Sequence, residues 1–215
     1  MTRQAVSRMI RRSTQSMRLN RINTFLRIMK PSSHDTILEV GGEPQQWLQC
    51  GYRGTVVFLN LYDPQHFKHI APNFHYIQGD GRSLNLSDNS FDIVFSNSVI
   101  EHVGALAEQK RFADETSRVG KRYWVQTPNR HFPIEPHFNF PLMQFFPLKL
   151  RVTIAQRWPL FYPPSLDYND AANMEDIVRS IRLITTADMR ALYPTGTIWK
   201  ERLFGLVKSI VAYRC

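Results

Sequence analysis

The sequence predicts an α/β domain built on a mostly parallel seven-stranded sheet that closes in an antiparallel hairpin. Three observations predict it. Short apolar runs recur at 36–40, 55–60, 74–78 and 91–96, and the last holds Ile93, Val94 and Phe95 in succession, as strands covered on both faces do. Helical stretches and Gly/Pro punctuation separate these runs, which requires right-handed crossovers. The end of the chain reads as two strands, 198–204 and 206–213, joined near Gly205 with room only for a tight turn.

The elements follow in order. Met17 to Met29 is expected to be a helix, with Ile22, Phe25, Leu26 and Met29 on its inner face. Residues 31–35 form a loop and 36–40 the first strand. Gly41-Gly42 make a tight turn, and Pro44 opens a helix that runs to about Gln49 and stops at Gly51. After the strand 55–60, Asp63-Pro64 starts a short helix or turn. Strand 74–78 leads to Gly79-Asp80-Gly81, and Ser87 to Ser90 turn the chain into strand 91–96. A helix is expected over 105–118, with Leu106, Phe112 and Ala113 inward and Gly120 as its cap, before a fifth strand at 122–127.

The composition then changes. Residues 128–164 carry eight of the thirteen prolines together with many aromatic side chains, which suits a lid rather than another sheet layer. The insertion is placed at 128–185. A helix within 142–157 should bend or break at Pro147, and Thr186 is expected to cap a helix that reaches Tyr193.

A chain of 215 residues is long enough for one sizeable core. Two distant cysteines, Cys50 and Cys215, give neither a disulfide framework nor zinc spacing, and no apolar run is long enough to span a membrane. A cytoplasmic setting is expected, with peripheral membrane contact as the variant. The net charge of +9 is local: residues 1–30 hold eight basic groups and no acid, while the rest hold 19 basic and 18 acidic groups. A nucleic-acid enzyme would more often spread such charge over a binding face. Residues 1–17 are read as a basic flexible arm on a domain of 18–215. The arm has three readings: a start that leads into the first helix, a contact with an anionic lipid or RNA surface, or a targeting segment.

In an open α/β sheet, ligands bind outside the carboxyl ends of the strands. The stretches at those ends therefore matter most. They are Ile37-Leu-Glu-Val-Gly-Gly42, Gly79-Asp-Gly-Arg-Ser-Leu84 and Phe91-Asp-Ile-Val-Phe-Ser-Asn-Ser-Val-Ile-Glu-His-Val103.

These three stretches resemble motifs of the class I S-adenosylmethionine-dependent methyltransferases. A narrower set resembles a bacterial branch of the type 11 methyltransferases: 41–47, 96–104, 126–130, 132–138 and 208–212. The resemblance covers about residues 18–213 and implies a Rossmann-like sheet with S-adenosyl-L-methionine as cofactor. It gives Gly41 and Gly42 the methionine end and Glu39 the cationic amino group. Asp80, with Gly81, faces the adenine, and Asn97 and Ser98 form the turn after the fourth strand. Two positions depart from the family pattern. Glu43-Pro44 follow the glycine pair where a third glycine is usual, and the second strand ends in Asn60 where an acid normally holds the ribose. Asn60 is preferred for that role, with Asp63 as the alternative.

Acid/base candidates are His102, His131, Glu135 and His137, since imidazole titrates near neutral pH. Some quinone O-methyltransferases of the superfamily carry a metal-binding E-V-x-E-H-V here. This chain has Ser98 in place of the first carboxylate, so Glu101-His102 is read as a helix start and no metal is expected. Pro133 and Pro136 argue against a second metal set at 131–137. The expected activity is methylation of a hydroxyl on a small-molecule, sugar or lipid-linked acceptor. The alternatives are an RNA or protein acceptor drawn by the basic arm, or a non-catalytic binding subunit that kept the fold.

Overall fold

The structure is a computed structural model that describes residues 17–62, 70–158 and 171–215, with only the backbone of 171–173. The basic arm up to residue 16, the expected turn at Asp63-Pro64 and part of the aromatic insertion lie outside the described residues.

The chain opens with helix α1 (residues 17–29) and then alternates: β1 (Thr36–Val40), α2 (Gln45–Cys50), β2 (Thr55–Asn60), β3 (Phe74–Gln78), β4 (Phe91–Asn97), α3 (Leu106–Val119) and β5 (Gly120–Pro128). The insertion brings a short hairpin, β6 (Ile134–Glu135) and β7 (Phe140–Pro141), and helices α4 (Leu148–Arg157) and α5 (Ala171–Ser180). Helix α6 (Thr186–Leu192) and strands β8 (Thr197–Leu203) and β9 (Leu206–Arg214) close the chain.

The main sheet has seven strands in the order β3-β2-β1-β4-β5-β9-β8. The first five pair in parallel, and β9 runs antiparallel to both β5 and β8. Successive side chains of a strand point to opposite faces. On one face Ile37, Phe58, Ile93, Phe95, Trp124 and Val211 pack with Phe25 of α1 and Trp47 of α2. On the other Leu38, Val40, Val94, Tyr123, Val125 and Ile210 pack with Phe112 of α3 and Met189 of α6. This double covering is why the strands read as apolar runs rather than alternating ones. The insertion has its own small core, with Phe138, Met143, Ala155, Met174 and Val178 buried together.

Several boundaries differ from expectation. Leu106 is half exposed on the outer side of α3, while Phe112 and Ala113 are buried as expected. Gly120 is not a left-handed cap: its φ of −99° is extended and it begins β5. Helix α6 is capped one residue earlier than expected. Thr185 accepts from the Asp188 N–H while the Asp188 carboxylate accepts from the Thr185 N–H, a reciprocal box. Pro147 breaks the insertion helix as expected, leaving a 3-10 turn at Met143–Phe145 before α4. The β8–β9 turn is Phe204-Gly205, both with positive φ, a pairing that matches the twist of a two-residue hairpin.

Candidate active site

The first cavity, about 320 Å³, opens at the carboxyl ends of β1, β2 and β4. Gly41, Asn60, Asp80, Gly81, Ser98 and His102 are among its lining residues. Gly41 has φ +77°, and a Cβ there would fall 2.5 Å from Val99 Cγ2, so only glycine lets the turn pass under that side chain. The turn is tied to β2, where the Gly41 N–H donates to the Leu59 carbonyl at 2.8 Å.

Two expected cofactor residues are arranged differently. Glu39 does not line the cavity. Its carboxylate is buried beneath the glycine turn, where it accepts from the Trp47 indole N–H. Burial pushes its pKa up to about 8. A Cβ on Gly42 would stand 1.8 Å from Glu39 Oε1, so the buried carboxyl itself requires the second glycine. Asn60 lines the cavity, but its amide Nδ2 donates to the Gly42 carbonyl at 3.1 Å. An aspartate could not make that bond, which gives a structural reason for the departure. Asp63 lies outside the described residues.

Asp80 is held at the rim. The Arg82 guanidinium donates to both its carboxylate oxygens and keeps its pKa below the usual range. Ser98 sits at the turn after β4 with φ +61°, an unusual conformation for a residue with a Cβ. Two bonds to Gln126 of β5 hold it: Ser98 N–H to the Gln126 carbonyl at 3.0 Å, and Ser98 Oγ to Gln126 Oε1 at 2.9 Å.

A second cavity, about 220 Å³, lies on the other side of Ser98, under the insertion. Arg18 and Arg21 of α1, Phe132, His137 and Lys208 are among the residues that line it. Asn97 belongs to this side, where its Oδ1 accepts from Arg21 at 3.3 Å. Ser98 lines both cavities.

Between the cavities stand two histidines. His102 faces the first and His137 the second, with their Nε2 atoms 3.1 Å apart. Behind His137, its Nδ1 meets Glu135 Oε1 at 2.7 Å. Glu135 is buried and accepts as well from the Phe138 N–H at 2.8 Å, which fixes the lid hairpin around it. Burial pulls the His137 pKa down, but the bond and charge of Glu135, with the charge of Glu101, more than offset this and leave it raised. His102 keeps an exposed edge, yet the crowding around its ring and the charge of His137 push its pKa down to about 4. The pair is therefore built to share one proton, held on His137. His131 is exposed and does not line either cavity, so the structure does not bring it to this cluster.

Glu101 sits in the middle of a 3-10 turn, Ile100–His102, rather than at the start of an α-helix. It is fully buried, accepts from Thr127 Oγ1 at 3.0 Å, and burial raises its pKa. Among the described residues, Glu101, His102 and His137 form the group whose ligand atoms, within 4.8 Å of one another, could approach a cation. A cation there would have to replace the hydrogen bond between the two imidazoles.

The residue that sequence reasoning missed is Arg21. It is 8% exposed and donates to Glu201 (3.0 Å), Ser209 (3.0 Å), Asn97 (3.3 Å) and Gln126 (3.3 Å), joining α1 to β4, β5, β8 and β9. The available signal was its place on the same helical stripe as Phe25 and Met29. One of the eight basic groups of residues 1–30 is thus an internal tie.

Residues 41–123 match the family described as methyltransferase domain. That stretch of the chain, from the glycine turn to β5, is thus similar to a methyltransferase domain. The strand order with its antiparallel close agrees with solved structures of that fold, although low identity restricts the likeness to fold. A magnesium protoporphyrin IX methyltransferase from Synechocystis, solved with SAH bound, superposes with a TM-score of 0.59 at 11% identity over 96% of this chain and 85% of its own. The PH0226 protein of Pyrococcus horikoshii gives a TM-score of 0.55 at 17% identity, covering 90% of this chain and 88% of its own. In sequence, the chain is 30% identical over 93 residues to an uncharacterised methyltransferase of Mycobacteroides abscessus, 39% of this chain and 35% of that protein. It is 41% identical over 56 residues to an uncharacterised Mycobacterium tuberculosis protein, 26% of this chain and 19% of that one. The chain thus spans well under half the length of these relatives.

Proposed function

We propose that the domain binds S-adenosyl-L-methionine in the first cavity and methylates a hydroxyl of a small acceptor held in the second. The observation that carries this reading is the line Glu135–His137–His102, which stands where the two cavities meet. The resident group fits the first cavity in kind: a close glycine turn at Gly41, a carboxylate at Asp80, and backbone groups at Gly81 and Ser98. When bound, it supplies an activated methyl on a sulfonium. The chain's own residues orient the acceptor, exclude water and manage one proton.

Methylation of a hydroxyl would release one proton, and the chain's own residues would have to take it up. The hydroxyl would displace His102 from Nε2 of neutral His137 and give its proton to that nitrogen. Glu135, bonded at Nδ1, orients the ring and stabilises the imidazolium that results. The site therefore works when His137 has lost its proton beforehand.

A cytoplasmic setting, with residues 1–30 touching an anionic surface, belongs to the same reading. The buried Glu39 and the Asn60 amide engaged by Gly42 favour a second reading, a domain that binds without catalysis. Calorimetry with S-adenosylmethionine comes first: no heat of binding at millimolar cofactor overturns the proposal. Incubating the protein with methyl-labelled cofactor and a bacterial extract then separates the readings. Label entering a base-stable, ether-linked small-molecule fraction is expected, base-labile label overturns the hydroxyl acceptor, and binding without transfer points to the non-catalytic domain.

A further inference from the structure

The second cavity has an unbalanced charge. Three cations line it, Arg18, Arg21 and Lys208, and among the described residues no aspartate or glutamate does. Arg21 is already matched, because Glu201 takes its Nε at 3.0 Å and three neutral oxygens take the rest of its guanidinium. Lys208 is different. It is partly buried on β9, and the atom that meets its ammonium is the thioether sulfur of Met17, a weak acceptor. Burial and the neighbouring Arg21 lower its pKa, and the charge of Glu201, which Arg21 already engages, does not offset them. Both positions are fixed. The Lys208 carbonyl accepts from the Asn129 N–H at 2.9 Å, and α1, which carries Arg18, is tied to β9 through Arg21 and Ser209.

Phe132, Ile134, Pro136 and Leu203 add an apolar stretch to a wall that also holds the neutral polar side chains of Ser98, Asn129 and Ser209. A cavity that combines apolar wall area with a partly desolvated cation that no carboxylate bonds directly selects a molecule having both characters. We infer that the acceptor is a small apolar molecule bearing one oxyanion, which Arg18 and Lys208 hold while its hydroxyl faces His137. This deepens the methyl-transfer reading and rests on it for the role of the hydroxyl; the charge selection itself does not depend on that reading. The oxyanion is a carboxylate or a phosphate ester, and both present the acceptor oxygens that a guanidinium and an ammonium recognise.

The test uses the full chain saturated with S-adenosylhomocysteine and three fluorescent probes: 2-naphthoate, 2-naphthyl phosphate and the neutral 2-naphthamide. At least one anionic probe is expected to bind about tenfold or more tightly than the amide. That preference should shrink about tenfold in Lys208→Met and in Arg18→Leu, with amide binding unchanged. The variants Lys208→Gln and Arg18→Gln replace them if circular dichroism shows loss of fold. The better-bound anion identifies carboxylate or phosphate. Equal affinity for all three probes, no binding of any, or a preference that survives both substitutions overturns the inference. Calorimetry with S-adenosylmethionine separates the two failures. Cofactor binding without anion preference sinks this inference alone, whereas anion preference without cofactor binding sinks methyl transfer and leaves the oxyanion site standing.

Discussion

The Nε2 atoms of His102 and His137 lie 3.1 Å apart with their rings at 88°, one imidazole from the turn after β4 and the other from the lid. The contact fastens the insertion to the sheet at the border of the two cavities. It also makes the proton on His137 the group that should limit methyl transfer at low pH. His137→Asn is expected to lower turnover about 100-fold or more while cofactor affinity by calorimetry stays within about twofold. A parallel loss of cofactor binding would make the pair merely architectural.

The sign of the pH dependence follows from Glu135. With its carboxylate present, His137 holds its proton to higher pH, so the rate falls as pH drops through that raised value. Glu135→Gln removes both the bond's charge and the main cause of the rise. The acid limb of the rate profile should then move to lower pH, even as the maximum rate declines through looser orientation. An unmoved limb would show that His137 is not the group titrated.

Glu39 has the opposite character to a surface acid. Its folded pKa of about 8 lies above its usual 4.5, so the folded state holds a proton there that the unfolded chain has lost. Stability from this group is complete below about pH 4.5 and declines as pH rises toward 8. Glu39→Gln keeps an acceptor for the Trp47 indole and carries no charge. Urea unfolding between these pH values should therefore show a decline in the native chain, on the order of a few kcal/mol, that is absent from the variant.

Arg21 ties four side chains, one on each of four strands, to its own helix. Arg21→Leu leaves the Glu201 carboxylate and the Asn97 oxygen short of a donor, one of them charged. A loss of about 2–4 kcal/mol is expected from urea midpoints. Because Gln126 also holds Ser98, the same variant should weaken cofactor binding, whereas Glu201→Gln should do so less.

Asn60→Asp restores the acid usual in the family but loses the Nδ2 donor to the Gly42 carbonyl. It also sets a carboxylate against that carbonyl. The variant is expected to be less stable by about 1–3 kcal/mol and to gain no cofactor affinity. Tighter binding in calorimetry would show that the glycine turn can release Asn60 to the ribose.

Much of this molecule was legible in its sequence, for a local reason. Buried strands carry their own apolar run, helices their own spacing, and turns their Gly and Pro, so element order and the closing hairpin could be read residue by residue. The placing of Gly41, Asp80 and Ser98 at the strand ends followed, because a parallel sheet gathers those ends together. The rest depends on contacts that no local pattern records. Arg21 meets Glu201 across 180 positions and His137 meets His102 across 35, and composition does not set either distance. Glu39 read as an acid available to a ligand, yet tertiary packing put Trp47 against it and closed it beneath Gly42. Burial and charge pairing are properties of the assembled core. They turned a strand-end acid into a support and a helix arginine into a tie, and from a structural-looking Glu-His pair they put His102 alone on the wall of the first cavity.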